Sequence, residues 1–306
     1  MFTNKIKLKP ATPFNFDLTT QIFSDGDAQI RAYKNGKFTQ LIRLNDKLAL
    51  LNLTSVGTVD KPELKAEFTT TNQMTTADNK KAREIINWLF NLNQNLTPFY
   101  ETTKQDPTMQ RLTQKLRGLQ SPTTQTVYEA LVDSIVEQQI SLKVANTLER
   151  RIIKKFGESL TIKSVTYYIY PKPETLYKVT TEELRSCGLS QRKAEYIKET
   201  STLIAEGKLD LEKFKTYADI DEVIRELDAV RGIGIWTAEL TMLRAMQKWE
   251  ALPADDVGLR RIISLYYCNG RKITSADARR IAEPWGKWKG LAAYFLVVAD
   301  MLGLEP

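Results

Sequence analysis

Residues 219–247 leave this chain few ways to fold. Two amphipathic helical stretches, 219–227 and 235–247, are joined by Arg231-Gly232-Ile233-Gly234. So short a connection makes a tight hairpin between neighbouring helices. Glycines two apart let the backbone turn sharply and bring bare N–H groups to the surface. The second helix begins directly afterwards, so its free amides and the positive end of its dipole face the same point. That arrangement suits a phosphate. On local sequence alone, a ligand-free turn between packed helices explains the same residues equally well.

The surroundings of the hairpin read as helix almost throughout from Pro107 onward. Residues 126–138 place Val127, Ala130, Leu131 and Ile135 on one stripe. Residues 141–156 place Val144, Leu148 and Ile152 on another, with Ser141 as N-cap. Further helices are expected at 181–186, 191–206, 257–267, 275–283 and 287–302, with Gly188, Gly207 and Gly270 as C-terminal stops. The N-terminal third is mixed. Residues 28–33 and 37–43 flank Asn35-Gly36, a hairpin signal, and 48–53 and 64–68 can add strands. Residues 77–90 carry Ala82, Ile85, Ile86, Leu89 and Phe90 on one helical face. The polar stretch 91–107 marks a boundary. The expected class is α+β and mainly α: a small N-terminal α/β domain over 1–105 (an antiparallel sheet plus a helix) and an all-helical region over 106–306.

The chain contains no histidine and two cysteines, Cys187 and Cys268. Ser-His-Asp and Cys-His catalysis, His-ligated zinc and four-cysteine metal sites are therefore outside its reach. Carboxylates, Lys and Tyr remain as acid–base groups. The formal net charge of +7 suits a polyanionic partner but is not concentrated in a basic tail. Binding to nucleic acid would therefore use placed groups rather than a general positive field. The first residues lack the apolar core of a signal peptide, and the longest apolar stretch, 291–299, is too short to span a bilayer. No membrane association is expected, and the expected location is cytoplasmic, with the nucleoid.

Beyond the hairpin, Leu252-Pro253-Ala254-Asp255-Asp256-Val257 delivers two carboxylates to the start of an amphipathic helix. Alone, either Asp reads as an N-cap. Further on stand Trp285-Gly286-Lys287-Trp288-Lys289-Gly290-Leu291-Ala292 and, upstream, Gly188-Leu189-Ser190-Gln191-Arg192-Lys193-Ala194. Hairpin, Asp pair and these two segments, in this order, resemble the helix-hairpin-helix superfamily of DNA glycosylases. Within it they resemble the 3-methyladenine-DNA glycosylase II branch. The motifs span residues 110–303; the N-terminal third fits by architecture.

The resemblance implies a monofunctional DNA glycosylase of base excision repair. Such an enzyme flips an alkylated purine of the 3-methyladenine or 7-methylguanine type out of double-stranded DNA. It then hydrolyses the N-glycosidic bond and leaves an abasic site. No cofactor and no metal are implied, and a monomer is expected. Asp256 takes the place of the catalytic carboxylate, with Asp255 an exposed turn residue. Trp236 stands where members that also cut the backbone carry a Lys. Trp236, Tyr294, Phe14 and Phe16 are candidate walls of the base pocket, whereas Trp285 and Trp288 suit the core. Leu240 and Val297 depart from the aromatic pattern of the bacterial branch. Gln139 corresponds to the wedge that fills the gap left by the extruded nucleotide, although an exposed turn residue explains it equally well. Gly232, Ile233, Gly234, Thr237 and Lys193 are the candidate phosphate contacts. Two alternatives stay open: a glycosylase with lyase activity through a Lys elsewhere, and a non-catalytic module that binds distorted DNA.

Overall fold

The computed structural model describes residues 1–305. Strands β1 (Phe2–Leu8), β2 (Arg31–Lys34), β3 (Lys37–Leu44), β4 (Lys47–Ser55) and β5 (Leu64–Thr70) form an antiparallel sheet in the order β1-β5-β4-β3-β2. Asn35 and Gly36 both take positive φ, 51° and 72°, as a two-residue turn between twisted strands requires. Helices α1 (Phe16–Thr20) and α2 (Thr76–Phe90) pack on the sheet, and α2 buries the five apolar residues expected of it. Thr75 and Asp78 cap α2 reciprocally, each side chain accepting from the other's amide. Strand β1 lies outside the sequence expectation because its alternation is weak: only Ile6 and Leu8 are buried.

The remaining helices are α3 (Thr97–Thr103), α4 (Pro107–Lys115), α5 (Val127–Glu137), α6 (Leu142–Phe156), α7 (Pro173–Leu176), α8 (Thr181–Arg185), α9 (Gln191–Ala205), α10 (Ile220–Asp228), α11 (Ile235–Ala245), α12 (Val257–Tyr267), α13 (Ser275–Ala282) and α14 (Lys289–Met301). The region is not all-helical as expected. A hairpin of β6 (Ser159–Ile162) and β7 (Val165–Tyr168) comes after α6. Its turn residues, Lys163 and Ser164, hold φ of 46° and 68° without Gly or Asn, so no turn signature announces it.

The helices bury two separate cores. One is contributed by α5 to α11 and includes Leu131, Ile135, Leu148, Phe214 and Met242. The other joins Leu96, Phe99, Met109 and Leu112, from before α5, to residues of α12–α14 such as Ile263, Trp285 and Phe295. Leu243 of α11 packs against both. The hairpin preceding α11 belongs to the first lobe and the Asp pair preceding α12 to the second. No helix among the described residues is long and apolar enough to cross a membrane.

Candidate active site

Asp256 is an N-cap and also more than one. Its backbone is extended (φ −68°, ψ 121°) and its Oδ1 accepts the Leu259 amide at 2.7 Å, closing the first turn of α12. Its Oδ2 accepts the indole N–H of Trp236 at 3.3 Å, across the junction of the two lobes. The cap therefore orients the carboxylate: one oxygen is tied to α12, and the other faces the first turn of α11. Asp255 is exposed, as expected of a turn residue. Trp236 is half-buried, and Ile235 and Val257 beside it are exposed apolar residues at the starts of α11 and α12.

The two hairpin glycines answer different demands. Gly232 has φ 87°, and a Cβ on it would lie 2.2 Å from the Tyr196 ring. Gly234 is the N-cap of α11, with extended backbone (φ −95°, ψ 178°), and a Cβ there would meet nothing within 4 Å. The Gly232 and Gly234 amides have no acceptor among the described residues, so this surface can still receive an anion.

Several expected contacts are corrected by burial. Ile233 is buried in the first core and its amide donates to Val230 O at 3.1 Å, so it anchors the hairpin rather than meeting solvent. Thr237 is 2% exposed, and its Oγ1 accepts from Gln138 Nε2 at 3.0 Å, which removes it from phosphate reach. Lys193 is 9% exposed, and its ammonium donates to Val136 O at 2.8 Å inside the protein. Phe14 and Phe16, 2% and 3% exposed, belong to the core under the sheet and cannot wall a base pocket. Trp285 is core, its indole N–H donating to Asp106 Oδ2 at 3.1 Å, and Trp288 packs near Phe99. Tyr294 is half-buried against the second core; its hydroxyl is enclosed and has no hydrogen-bond partner among the described residues.

Gln139 is exposed between α5 and α6 with φ 58°, a left-handed turn that lifts it clear of both helices. Its neighbour Gln138 carries no signal in the sequence, because only the folded chain brings it to the hairpin. There its Nε2 donates to Gly232 O at 2.9 Å as well as to Thr237.

Helix α5 also carries Glu129, Asp133 and Glu137 four residues apart, facing inward. Arg31 reaches Glu129 at 3.5 Å and Glu149 at 3.9 Å, Arg244 reaches Glu137 at 2.7 Å, and Tyr170 donates to Asp133 at 2.8 Å. Burial pushes Asp133 well above the ordinary carboxylate range, helped by Glu149 and Glu129, and burial also raises those two. Between the ordinary and the raised pKa the folded state holds more protons than the unfolded one. Stability is therefore lost as pH rises through that window. Asp133→Asn, neutral throughout, should gain in Tm relative to the unmodified protein as pH rises above the ordinary carboxylate range. Thermal melts across that rise in pH test this; a gap independent of pH would contradict it.

Membership of a family follows from the sequence. The chain belongs to the HhH-GPD superfamily of base excision DNA repair proteins, whose model matches residues 132–287, just over half of the chain and both sides of the lobe junction. It is similar to the DNA-3-methyladenine glycosylase of Bacillus subtilis (strain 168), 29% identical over 266 residues, with 86% of each chain covered. It is also similar to the DNA-3-methyladenine glycosylase 2 of Escherichia coli (strain K12), 27% identical over 175 residues, covering 57% of this chain and 58% of that one. Among solved structures it is similar to the 3-methyladenine DNA-glycosylase from Archaeoglobus fulgidus, with a TM-score of 0.83, 25% identity and coverage of 97% and 99%.

Proposed function

We propose that this protein is a monofunctional DNA glycosylase that extrudes alkylated purines of the 3-methyladenine and 7-methylguanine type from duplex DNA and hydrolyses their N-glycosidic bond. The observation that carries this reading is the pairing of Asp256 with Trp236 across the lobe junction, beside the hairpin amides. Breaking the bond between C1′ and the base nitrogen leaves positive charge on the sugar and returns the electron pair to the base. A carboxylate beside C1′ stabilises that charge and orients the water that adds there, accepting its proton. An alkylated purine already carries positive charge, so it departs as a neutral base without an acid to protonate it. The missing histidine is then no handicap.

Trp236 supports both substrate and reaction type. Its ring face can stack on a cationic base, worth about 0.5–2 kcal/mol. It also fills the position where lyase members place their Lys, so no amine stands there to attack C1′. Tyr294, half-buried against the second core, is the second wall in this reading, offering ring surface rather than its enclosed hydroxyl. With Phe14 and Phe16 in the sheet core and Leu240 aliphatic, the aromatic surface is small, which favours bases that are intrinsically good leaving groups. Gln139 fills the gap in the duplex, flanked by the exposed apolar side chains Ile140, Leu142 and Val144. The Gly232 and Gly234 amides grip a phosphate.

Duplexes carrying single lesions, treated with alkali after incubation, report base release as strand breaks. Cleavage is expected at methylated purines and only after alkali. Borohydride in the reaction should trap no protein–DNA adduct, and a covalent adduct would overturn the monofunctional reading.

A further inference from the structure

Helix α9 backs both elements that would meet DNA. On one side, the Tyr196 ring lies against Gly232, and Glu195 and Glu199 hold Arg231 of the hairpin. One turn earlier, Lys193 reaches through the interior to Val136 O, at the C-terminal end of α5. The last carbonyls of a helix lack intrahelical donors and carry the negative end of its dipole, so a buried ammonium there is well placed. It has no carboxylate partner among the described residues. Three residues beyond Val136 stands Gln139. The loop is held at two further points, Arg244 on Glu137 and Gln138 on Gly232 O and Thr237, leaving Gln139 the outward residue.

We propose that Lys193 is a positioning residue: by capping α5 from α9 it sets Gln139 at a fixed height relative to the hairpin, so that wedge and phosphate grip engage the duplex in one register. This rests on the reading of Gln139 as the wedge. A positioning role predicts a loss confined to substrates in which a paired nucleotide must be extruded. Single-stranded DNA leaves no gap to fill.

The test is the single-turnover rate of base release from 7-methylguanine in a duplex and in the same strand unpaired. Lys193→Met should lower the duplex rate about tenfold, the scale of one charge-assisted hydrogen bond, and the single-strand rate less than twofold. Lys193→Arg, which keeps a cationic donor, should restore most of the duplex rate. Gln139→Ala should itself lower the duplex rate, and Lys193→Met should add nothing in that background, as coupled residues do. Equal losses on both substrates, or losses that multiply fully with Gln139→Ala, would overturn the proposal while leaving the wedge reading intact. An unaltered duplex rate in Gln139→Ala would overturn the wedge reading, and the proposal with it. Should the Met variant not fold, Lys193→Gln, a shorter donor, carries the same comparison.

Discussion

Replacing Asp256 with Asn is expected to lower base release from methylated duplex DNA by about 10²–10³-fold, the cost of removing a placed electrostatic group from a transition state. Asn caps helices as well as Asp does, and its amide oxygen can still accept the Leu259 N–H. The fold should therefore survive, with Tm changed by no more than about 2 °C. Affinity for a duplex holding an abasic analogue should stay within about threefold, because in the proposed binding mode the grip comes from the hairpin and the wedge rather than from this charge. Single-turnover kinetics and a binding titration on the same two proteins separate these effects. If the unmodified protein and the variant bind alike and neither releases base, the chain is a binding module and the catalytic reading fails.

The second large effect is expected at Gly232. Gly232→Val asks a β-branched residue to hold φ 87° and places its Cβ within the Tyr196 ring. Left-handed strain and overpacking together cost about 2–5 kcal/mol, on the order of a 3–8 °C fall in Tm. Moving Tyr196 also moves the hairpin, so affinity for duplex DNA should fall as well. Gly234→Ala makes the contrast. Its added methyl meets nothing and its φ is ordinary, so Tm should hardly move. Any loss of DNA affinity there reports on how closely a phosphate approaches. A melt and a salt-dependent binding titration on both variants distinguish the two glycines. Equal destabilisation by both would contradict the division of labour.

Features set by local rules were legible in the sequence. The helix ends follow caps and glycines: Ser141 and Asp256 cap their helices, and Gly188, Gly207 and Gly270 hold positive φ beyond theirs. Asn35-Gly36 turns the hairpin of β2 and β3. Local rules left either Asp of the pair as the cap; the family resemblance singled out Asp256, and the structure shows it to be the cap of its helix. The failures share a different cause. Phe14 and Phe16 have the same sequence signature in a core as in a pocket. Lys193 and Thr237 look like phosphate ligands until their partners, Val136 and Gln138, are seen; these lie 57 and 99 positions away. Gln138 gains its role through the same remote pairing. No periodicity encodes such contacts, since they depend on how helices cross rather than on how each one forms.

The order in which the two helical cores draw on the chain bears on its biosynthesis. The core built by α5 to α11 comes from one continuous stretch and can close while the ribosome is still translating α12 to α14. The other core needs Leu96, Phe99 and Met109 to wait for Trp285, Leu291 and Phe295, made well after them. Asp256 stands on that late-closing side and Trp236 on the early one. The pair between them joins the two cores. The first core, with the hairpin, can thus be complete before the core that carries Asp256 closes.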